Sequence, residues 1–332
     1  MSRAALTASL LLAAWPGVAQ PLERWDPGAA DCSHHGAPPI ELHRIDDRTV
    51  ILREGLCTTA EAPFMYLLIG RDRALLVDTG DVADPALAPI GRTVLDLLPA
   101  TGGIRLPLLV AHTHSHLDHR AGDVQFEGLP GVEVVPHELD GLRARLGLSS
   151  WPEGAGLIEL GDRLVDVLPA PGHSHTDLVF YDRTDRLVLS GDVLMPGRLL
   201  LSDATAAVES ARRLAAYFEG RPVSLVLGGH VEEDETGALY AWHATYHPRE
   251  RPLPLTKAQL LALPGLLSGF SGLWMEKDGQ VVIHQGRLLG LAGSLVAVLL
   301  TAGGWLLWRR LRRPGGWLRV STRPSPASRA IE

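Results

Sequence analysis

Residues 111–122 of this 332-residue chain read AHTHSHLDHRAG and place four histidines and one aspartate between His112 and His119. The stretch follows the apolar run LPLLV, which is typical of a buried strand. Imidazole is the commonest metal ligand among side chains, and a dense group of imidazoles has little purpose without an ion. The spacing therefore predicts a metal site directly after this strand. The alternative is a solvated histidine-rich turn that binds metal only adventitiously.

Other predicted strands repeat this arrangement, with ionisable residues where each strand ends. Apolar runs end at Asp78 and just before His173, Asp192 and His230. Stretches with helical periodicity lie between these runs, at 84–99, 137–147 and 203–219. The alternation predicts a mixed α/β class. Because functional sites gather at strand ends in layered α/β folds, we expect these loops to converge.

The order and spacing of these residues resemble the metallo-β-lactamase superfamily over roughly residues 45–235. The matching residues, in chain order, are His114-x-His116-x-Asp118-His119, His173 in PGHSHTD, Asp192 in SGD and His230 in GGH. The resemblance implies a four-layer αββα sandwich, the metallo-β-lactamase fold, with metals at one edge of two facing sheets.

The resemblance also implies two metal sites. The implied ligands of the first ion are His114, His116 and His173. The implied ligands of the second ion are Asp118, His119 and His230. Asp192 would bridge the two ions, and Asp78 would support a ligand through a hydrogen bond.

The residue types agree with this assignment on chemical grounds. His114 and His116 are two positions apart on an extended segment, so their side chains point the same way and can hold one ion. Nitrogen and oxygen donors suit zinc without excluding iron or manganese, so two zinc ions are the expected cofactors. A two-metal site lowers the pKa of a bound water toward about 7. Asp118 is then the candidate catalytic residue, because its carboxylate could orient that water or accept its proton.

Four further histidines receive no ligand role. His112 lies outside the register of the motif and is expected behind the ligands or at the surface. His175 is expected to be a structural or pocket-wall residue, and His243 and His247 to lie near the pocket mouth.

Charge and hydropathy favour an exported, membrane-anchored protein. The formal net charge of −7 argues against a nucleic-acid partner, since such proteins usually carry a basic face. Residues 1–19 combine Arg3, an apolar run and a small-x-small site, which is typical of a signal peptide; a buried N-terminal helix is the alternative. Residues 288–308 carry no charge and precede RRLRR, which predicts a transmembrane helix with its arginines in the cytoplasm.

These features predict the organisation of the whole chain. The predicted segments are a signal peptide at 1–19, an N-terminal coil at 20–44, a catalytic domain at 45–286, a transmembrane helix at 288–308 and a basic cytoplasmic tail at 309–332. The catalytic domain is then extracytoplasmic, and periplasmic in a Gram-negative bacterium. In that oxidising compartment Cys32 and Cys57 are expected to form a disulfide, with two buried free thiols as the alternative.

The predicted function is a membrane-anchored, extracytoplasmic di-zinc hydrolase acting on a small-molecule ester, lactone, thioester or lactam. Asp192 makes the chain look more like thioesterases, lactonases and phosphodiesterases of the superfamily than like zinc β-lactamases. The alternatives are an iron-dependent oxidoreductase of the sulfur-oxidising type on the same ligands, and a non-catalytic metal-binding protein.

Overall fold

The computed structural model describes residues 24–277 and 279–311. The strands of this part, β1 to β16 in chain order, are Ile40–Asp46, Thr49–Glu54, Phe64–Ile69, Ala74–Val77, Ala100–Thr101, Ile104–Arg105, Leu108–Ala111, Val132–Val134, Gly156–Glu159, Leu164–Pro169, Leu178–Asp182, Leu187–Gly191, Arg198–Leu201, Leu225–Gly228, Trp274–Lys277 and Gln280–His284. The α-helices, α1 to α5, are Ile90–Leu97, Leu139–Leu146, Ala204–Phe218, Lys257–Ser268 and Gln285–Leu311. The chain divides into two units, Met1–Gly286 and Arg287–Glu332.

Two large sheets form the body of the first unit. The six-stranded sheet has the order β1-β2-β3-β4-β7-β8, and the five-stranded sheet has the order β14-β12-β11-β10-β9. Strands β4, β7 and β8 are parallel to one another, and β12 is parallel to β14. A three-stranded sheet, β13-β16-β15, contains the antiparallel pair β15 and β16.

The strands of both large sheets are buried on both faces, which explains their continuous apolar runs. In β3, Phe64 and Tyr66 pack in the cluster between the two sheets, while Met65 and Leu67 pack on the other face in the cluster that contains α1. In β11, Phe180 faces the cluster between the sheets and its neighbours face the cluster that contains α3 and α4. The layers are therefore helix, sheet, sheet, helix, and the mixed α/β class is confirmed.

The helices begin and end close to the predicted stretches. The predicted helix at 203–219 is α3, and the Asp203 side chain caps it by accepting hydrogen bonds from the backbone N–H groups of Thr205 and Ala206. Of the predicted stretch at 84–99, only α1 is helical. Residues 81–88 form a loop, and Pro89 is the N-cap of the helix. Strand β1 begins at Ile40, within the segment read as coil from the sequence.

One edge of the two sheets collects the carboxyl ends of five strands. Strands β4 and β7 are parallel and in register, with Val77 opposite Ala111. Strands β10, β12 and β14 all run in one direction, and Gly191 lies opposite Gly228 at the end of β12 and β14. The two sheets are joined at this edge by the Leu178 N–H, which donates to the Thr113 carbonyl at 2.7 Å. The loops that follow these strands therefore face one another.

Two features lie outside the sandwich. Cys32 and Cys57 form a disulfide with a Cα–Cα distance of 5.3 Å, which confirms the predicted pair. Helix α5 is long and apolar enough to cross a membrane over Gln285–Arg310, as far as length and composition can show. The predicted signal peptide and residues 312–332 of the predicted tail lie outside the described residues.

Candidate metal centre

The histidine cluster follows β7 as an irregular segment. Residues 112–116 contain bends at Thr113 and Ser115, and a 3-10 turn covers Leu117–His119. Asp78, directly after β4, fixes this loop: its Oδ1 accepts from the Thr113 N–H at 2.7 Å and its Oδ2 from the Thr113 hydroxyl at 2.8 Å. Asp78 adopts a positive φ of 67°, a strained conformation for a residue with a side chain, which turns the carboxylate towards the neighbouring loop.

The first cluster of potential ligands, the three-histidine group, consists of His114, His116 and His173. His173 Nε2 lies 3.2 Å from His114 Nε2 and 2.9 Å from His116 Nδ1. The other ring nitrogen of His173 faces the Leu200 carbonyl oxygen at 2.7 Å. A proton on that nitrogen donates to the carbonyl, which leaves Nε2 free as a ligand atom.

The second cluster, the Asp–His group, consists of Asp118, His119, Asp192 and His230. His119 Nε2 and His230 Nε2 lie 3.1 Å apart, and Asp118 Oδ2 lies 3.4 Å from each. In both histidines of this group, the other ring nitrogen, Nδ1, faces an oxygen atom of the protein. His119 Nδ1 lies 3.0 Å from Asp78 Oδ2, and His230 Nδ1 lies 2.7 Å from the Glu61 carbonyl oxygen.

Asp192 reaches both groups. Its Oδ2 lies 3.5 Å from His173 Nε2, and its Oδ1 lies 3.5 Å from His119 Nε2 and 3.7 Å from His230 Nε2. Its Oδ1 is buried without an aligned hydrogen-bond donor among the described residues. A buried carboxylate oxygen without a partner is costly, and a cation between the groups would satisfy it. The donor set therefore fits two metal ions with Asp192 between them.

The charges of the site favour a cation at the Asp–His group. Burial lowers the pKa of His114 well below its usual range, and neighbouring imidazoles add to this, so the ring is neutral as a ligand must be. At His230 burial opposes protonation, but Asp192 and Asp118 outweigh it and raise the pKa to about 9. The pKa of His119 is raised for the same reasons. The carboxylates of the Asp–His group thus stabilise positive charge at its centre, and they would attract a divalent cation there in the same way.

Glycine is required where the loops approach most closely. A Cβ on Gly229 would lie 2.3 Å from Asp192 Oδ1 and 2.8 Å from His119 Cε1. A Cβ on Gly191, which has a φ of 49°, would lie 2.6 Å from Thr113 Cβ. The glycines of the SGD and GGH stretches therefore let these loops pack together, so that the side chains that follow them reach the site.

The remaining histidines have varied positions. His175 is exposed, and His243 is exposed on its own loop with a positive φ of 57°. His247 is buried, stacks on Tyr240 with ring centroids 3.9 Å apart, and lines the cavity beside His230 together with His243. His112 is buried between two carboxylates beneath the site rather than at the surface.

A small cavity lies beside His230, the one member of the Asp–His group that lines it. The loop after β2 contributes Glu61, and the segment 231–256 contributes Trp242 and His243. Trp242 is 55% exposed, and the guanidinium of Arg198 covers one face of its ring at 4.2 Å.

Comparison with known proteins identifies the family. The family model of the metallo-beta-lactamase superfamily matches residues 58–230, which contain both groups. The chain belongs to this superfamily. The resemblance found in the sequence is thereby confirmed, and the superfamily generally binds metal ions.

Curated relatives within the superfamily are hydrolases. The chain is 28% identical over 214 residues to an acyl-coenzyme A thioesterase, MBLAC2, of Gallus gallus. The alignment covers 55% of this chain and 77% of that protein. It is 33% identical over 109 residues to a hydroxyacylglutathione hydrolase of Maricaulis maris, covering 32% of this chain and 42% of that protein. The prediction of a metal-dependent hydrolase is confirmed by these relatives and by the family.

A solved structure shows the same fold. A metallo-β-lactamase from Erythrobacter litoralis superposes with a TM-score of 0.50 at 14% identity, covering 70% of this chain and 97% of that one. The similarity supports the sandwich, in which the loops after the strand ends carry the residues of the two groups.

Proposed function

We propose that this protein is a membrane-anchored, extracytoplasmic di-zinc hydrolase that cleaves a small acyl thioester, with related esters, lactones and lactams as secondary substrates. The observation that carries the proposal is the position of Asp192, whose two oxygens face the three-histidine group and the Asp–His group. Such an arrangement suits two neighbouring ions acting on one substrate.

The residues of the two groups would bind the metal ions, and Asp118 would also take part in catalysis. When bound, zinc supplies Lewis acidity for activating water and polarising an acyl oxygen. The three-histidine group would hold one ion and the Asp–His group the other. Asp118 is the more exposed of the two carboxylates, with 24% of its side chain accessible against 12% for Asp192, so it faces the substrate side. Its carboxylate would accept the proton of the attacking water.

Among the candidate substrates, a thioester is the one whose leaving group needs no proton donor from the site. Water attacks the acyl carbon, the carbon–oxygen bond forms, the carbon–sulfur bond breaks, and the water proton passes to Asp118. The thiol product has a pKa of about 8.5, so the thiolate leaves readily without a general acid. The printed names of the relatives point the same way, since coenzyme A and glutathione both carry acyl groups on a thiol. Because the proposed site lies outside the cytoplasm, we expect the thioester substrate of this protein to carry its acyl group on a thiol other than coenzyme A or glutathione.

The membrane assignment rests on α5. Its uncharged run at 288–308 would span the bilayer, Trp305 would lie at the interface, and Arg309 and Arg310 would remain in the cytoplasm. The guanidinium of Arg309 lies over the Trp305 ring at 4.2 Å, which keeps the aromatic and the cation at the same helix end. The first unit would then lie outside the cytoplasm, in agreement with the Cys32–Cys57 disulfide.

The test combines metal analysis with a substrate panel on the full chain purified in detergent. We expect about two zinc ions per chain. We also expect thioester hydrolysis that chelation abolishes and zinc restores, with slower turnover of esters, lactones and cephalosporins. One iron and no zinc, without hydrolysis, would instead support the oxidoreductase. Bound metal without turnover of any substrate would support a non-catalytic metal-binding protein.

A further inference from the structure

A buried network beneath the Asp–His group is not explained by metal ligation alone. It consists of Asp78, Thr79, His112, His119 and Asp123, each no more than 8% exposed. Asp123 lies on the 3-10 turn Ala121–Gln125, which follows the histidine motif. Asp123 and His112 belong to neither group of potential ligands, so a role at the site would act through the other members of the network.

One arm of the network runs from Asp123 through Thr79 to the backbone of His119. Asp123 Oδ1 accepts a hydrogen bond from the Thr79 hydroxyl at 2.9 Å. The Thr79 backbone N–H in turn donates to the His119 carbonyl at 2.9 Å. A Cβ on Gly122 would lie 2.2 Å from the Thr79 carbonyl oxygen, so glycine permits this contact between the two turns.

The other arm runs from Asp123 through His112 to the ring of His119. His112 Nε2 lies 3.2 Å from Asp123 Oδ2, and His112 Nδ1 lies 3.8 Å from Asp78 Oδ1. Neither ring nitrogen has an aligned hydrogen-bond partner among the described residues, so His112 acts through the packing of its ring between the two carboxylates. Asp78 Oδ2 faces His119 Nδ1 at 3.0 Å. His119 is therefore held at its carbonyl by one arm and at its ring by the other.

We infer that Asp123 and His112 are positioning residues that orient His119 for the ion of the Asp–His group. The inference rests on the proposed two-metal site. Residues that orient metal ligands through hydrogen bonds typically change metal affinity by about 10- to 100-fold when they are removed. Because both arms converge on His119, the loss should fall on one ion and spare the ion of the three-histidine group.

The test measures zinc affinity rather than activity. Metal-free full chain in detergent is titrated with Zn²⁺ in competition with a chromophoric chelator, which resolves two affinity classes. Asp118→Asn identifies the class that belongs to the Asp–His group. Asp123→Ala and His112→Ala should each weaken that class about 10-fold and leave the other class unchanged. The double variant should be no weaker than Asp123→Ala, because the two residues act on the same ligand.

Two further variants separate positioning from a general loss of stability. Asp123→Asn keeps an acceptor for Thr79 and should restore most of the affinity. Asp166→Ala removes a buried carboxylate that pairs with Arg183 and Tyr217, so it should lower stability without changing either zinc affinity.

The outcomes distinguish this inference from the proposed function. Two zinc ions with wild-type affinities in Asp123→Ala would overturn the inference and leave the proposed function intact. A wild-type chain that binds only one ion would overturn both. Equal weakening of both affinity classes would also overturn the inference, since it would indicate loosening of the whole site.

Discussion

Asp118 and His112 lie on one loop, and substitution should separate a reacting residue from a positioning one. Asp118→Asn should reduce thioester turnover by about 100-fold or more at saturating zinc, because the variant loses both a proton acceptor and a ligand. The three-histidine group is unchanged, so one ion should remain. His112→Ala should keep both ions and most of its turnover at saturating zinc. The reverse pattern, with metal lost only in His112→Ala, would show that the motif is read in the wrong register.

Glu54 provides a second prediction, on stability against pH. Its carboxylate is fully buried at the end of β2 and accepts the backbone N–H groups of Asp81 and Val82. Burial raises its pKa from 4.5 to about 7. The folded state therefore binds this proton more tightly than the unfolded state. The associated stability is complete below about pH 4.5 and is lost as the pH rises through 7.

The change at Glu54 can be measured against a matched variant. Between about pH 5 and pH 8 the wild type should lose about 2 to 3 kcal/mol of unfolding free energy relative to Glu54→Gln, which does not titrate. Glu153→Gln alters an exposed carboxylate and should follow the wild type. Denaturant unfolding at the two pH values measures the difference, and parallel pH profiles of wild type and Glu54→Gln would contradict it.

At the level of residues, the sequence predicts side chains well and backbone partners poorly. The motif spacing predicts that His114, His116 and the carboxylates of the site come together, because they lie in the loops that follow apolar strands, and the structure groups them. It does not predict that the Leu200 and Glu61 carbonyls hold His173 and His230, since any residue type offers a carbonyl. For His112 the sequence left two positions open, behind the ligands or at the surface, because its environment depends on Asp123, which carries no motif signal; the structure places it behind the ligands.

At the level of elements, three irregular segments form one wall beside the site. The N-terminal segment 24–39 contacts the segment 231–256 through the His247 N–H, which donates to the Pro27 carbonyl at 2.7 Å, and through a bridge between Gly28 and Tyr246. The loop 55–62 joins them through the disulfide and supplies Glu61 to the cavity. Hydropathy periodicity detects strands and helices, but these contacts pair distant backbone without periodicity, so the sequence left this wall unassigned.

The disulfide should stabilise this wall measurably. It closes a loop with a sequence separation of 25, for which chain entropy gives about 3 kcal/mol. The variant Cys32→Ser/Cys57→Ser should therefore lose about that much unfolding free energy in denaturant titrations. Thiol titration of the unfolded, non-reduced wild type should find almost no free thiol. Two titratable thiols per chain would show that the cysteines are not bridged in the protein as made.

At the level of the whole molecule, the apolar runs and helical stretches predict only the mixed α/β class, and the four-layer sandwich was implied by the resemblance to the superfamily. Both faces of β3 and β11 are buried, and no two-layer arrangement would cover them. The three-stranded sheet is less predictable, because β13 joins β16 across a sequence separation that hydropathy does not report. Family membership then connects the layered fold to the metal-binding edge.

The proposed membrane anchor is α5, and its orientation has a test of its own. Helix α5 carries no acidic residue in its first turn, is apolar across 288–308 and ends with Arg309 and Arg310. Arginines beside a span remain in the cytoplasm, so the first unit should lie on the opposite side of the membrane. A reporter that works only outside the cytoplasm should therefore be active when fused at Gly286 and inactive when fused at Pro324.

A cytoplasmic reporter should give the opposite result at the same two positions. Replacing Arg309 and Arg310 with glutamine weakens the orienting charge and should increase the fraction of chains in the reverse orientation. Replacing the exposed Arg105 and Arg92 of the first unit, which are far in sequence from the span, is the matched control and should leave the orientation unchanged. Cytoplasmic activity at Gly286 in the wild type would place the site in a reducing compartment. That result would remove the reason for the disulfide and would restore cytoplasmic thioesters as the expected substrates.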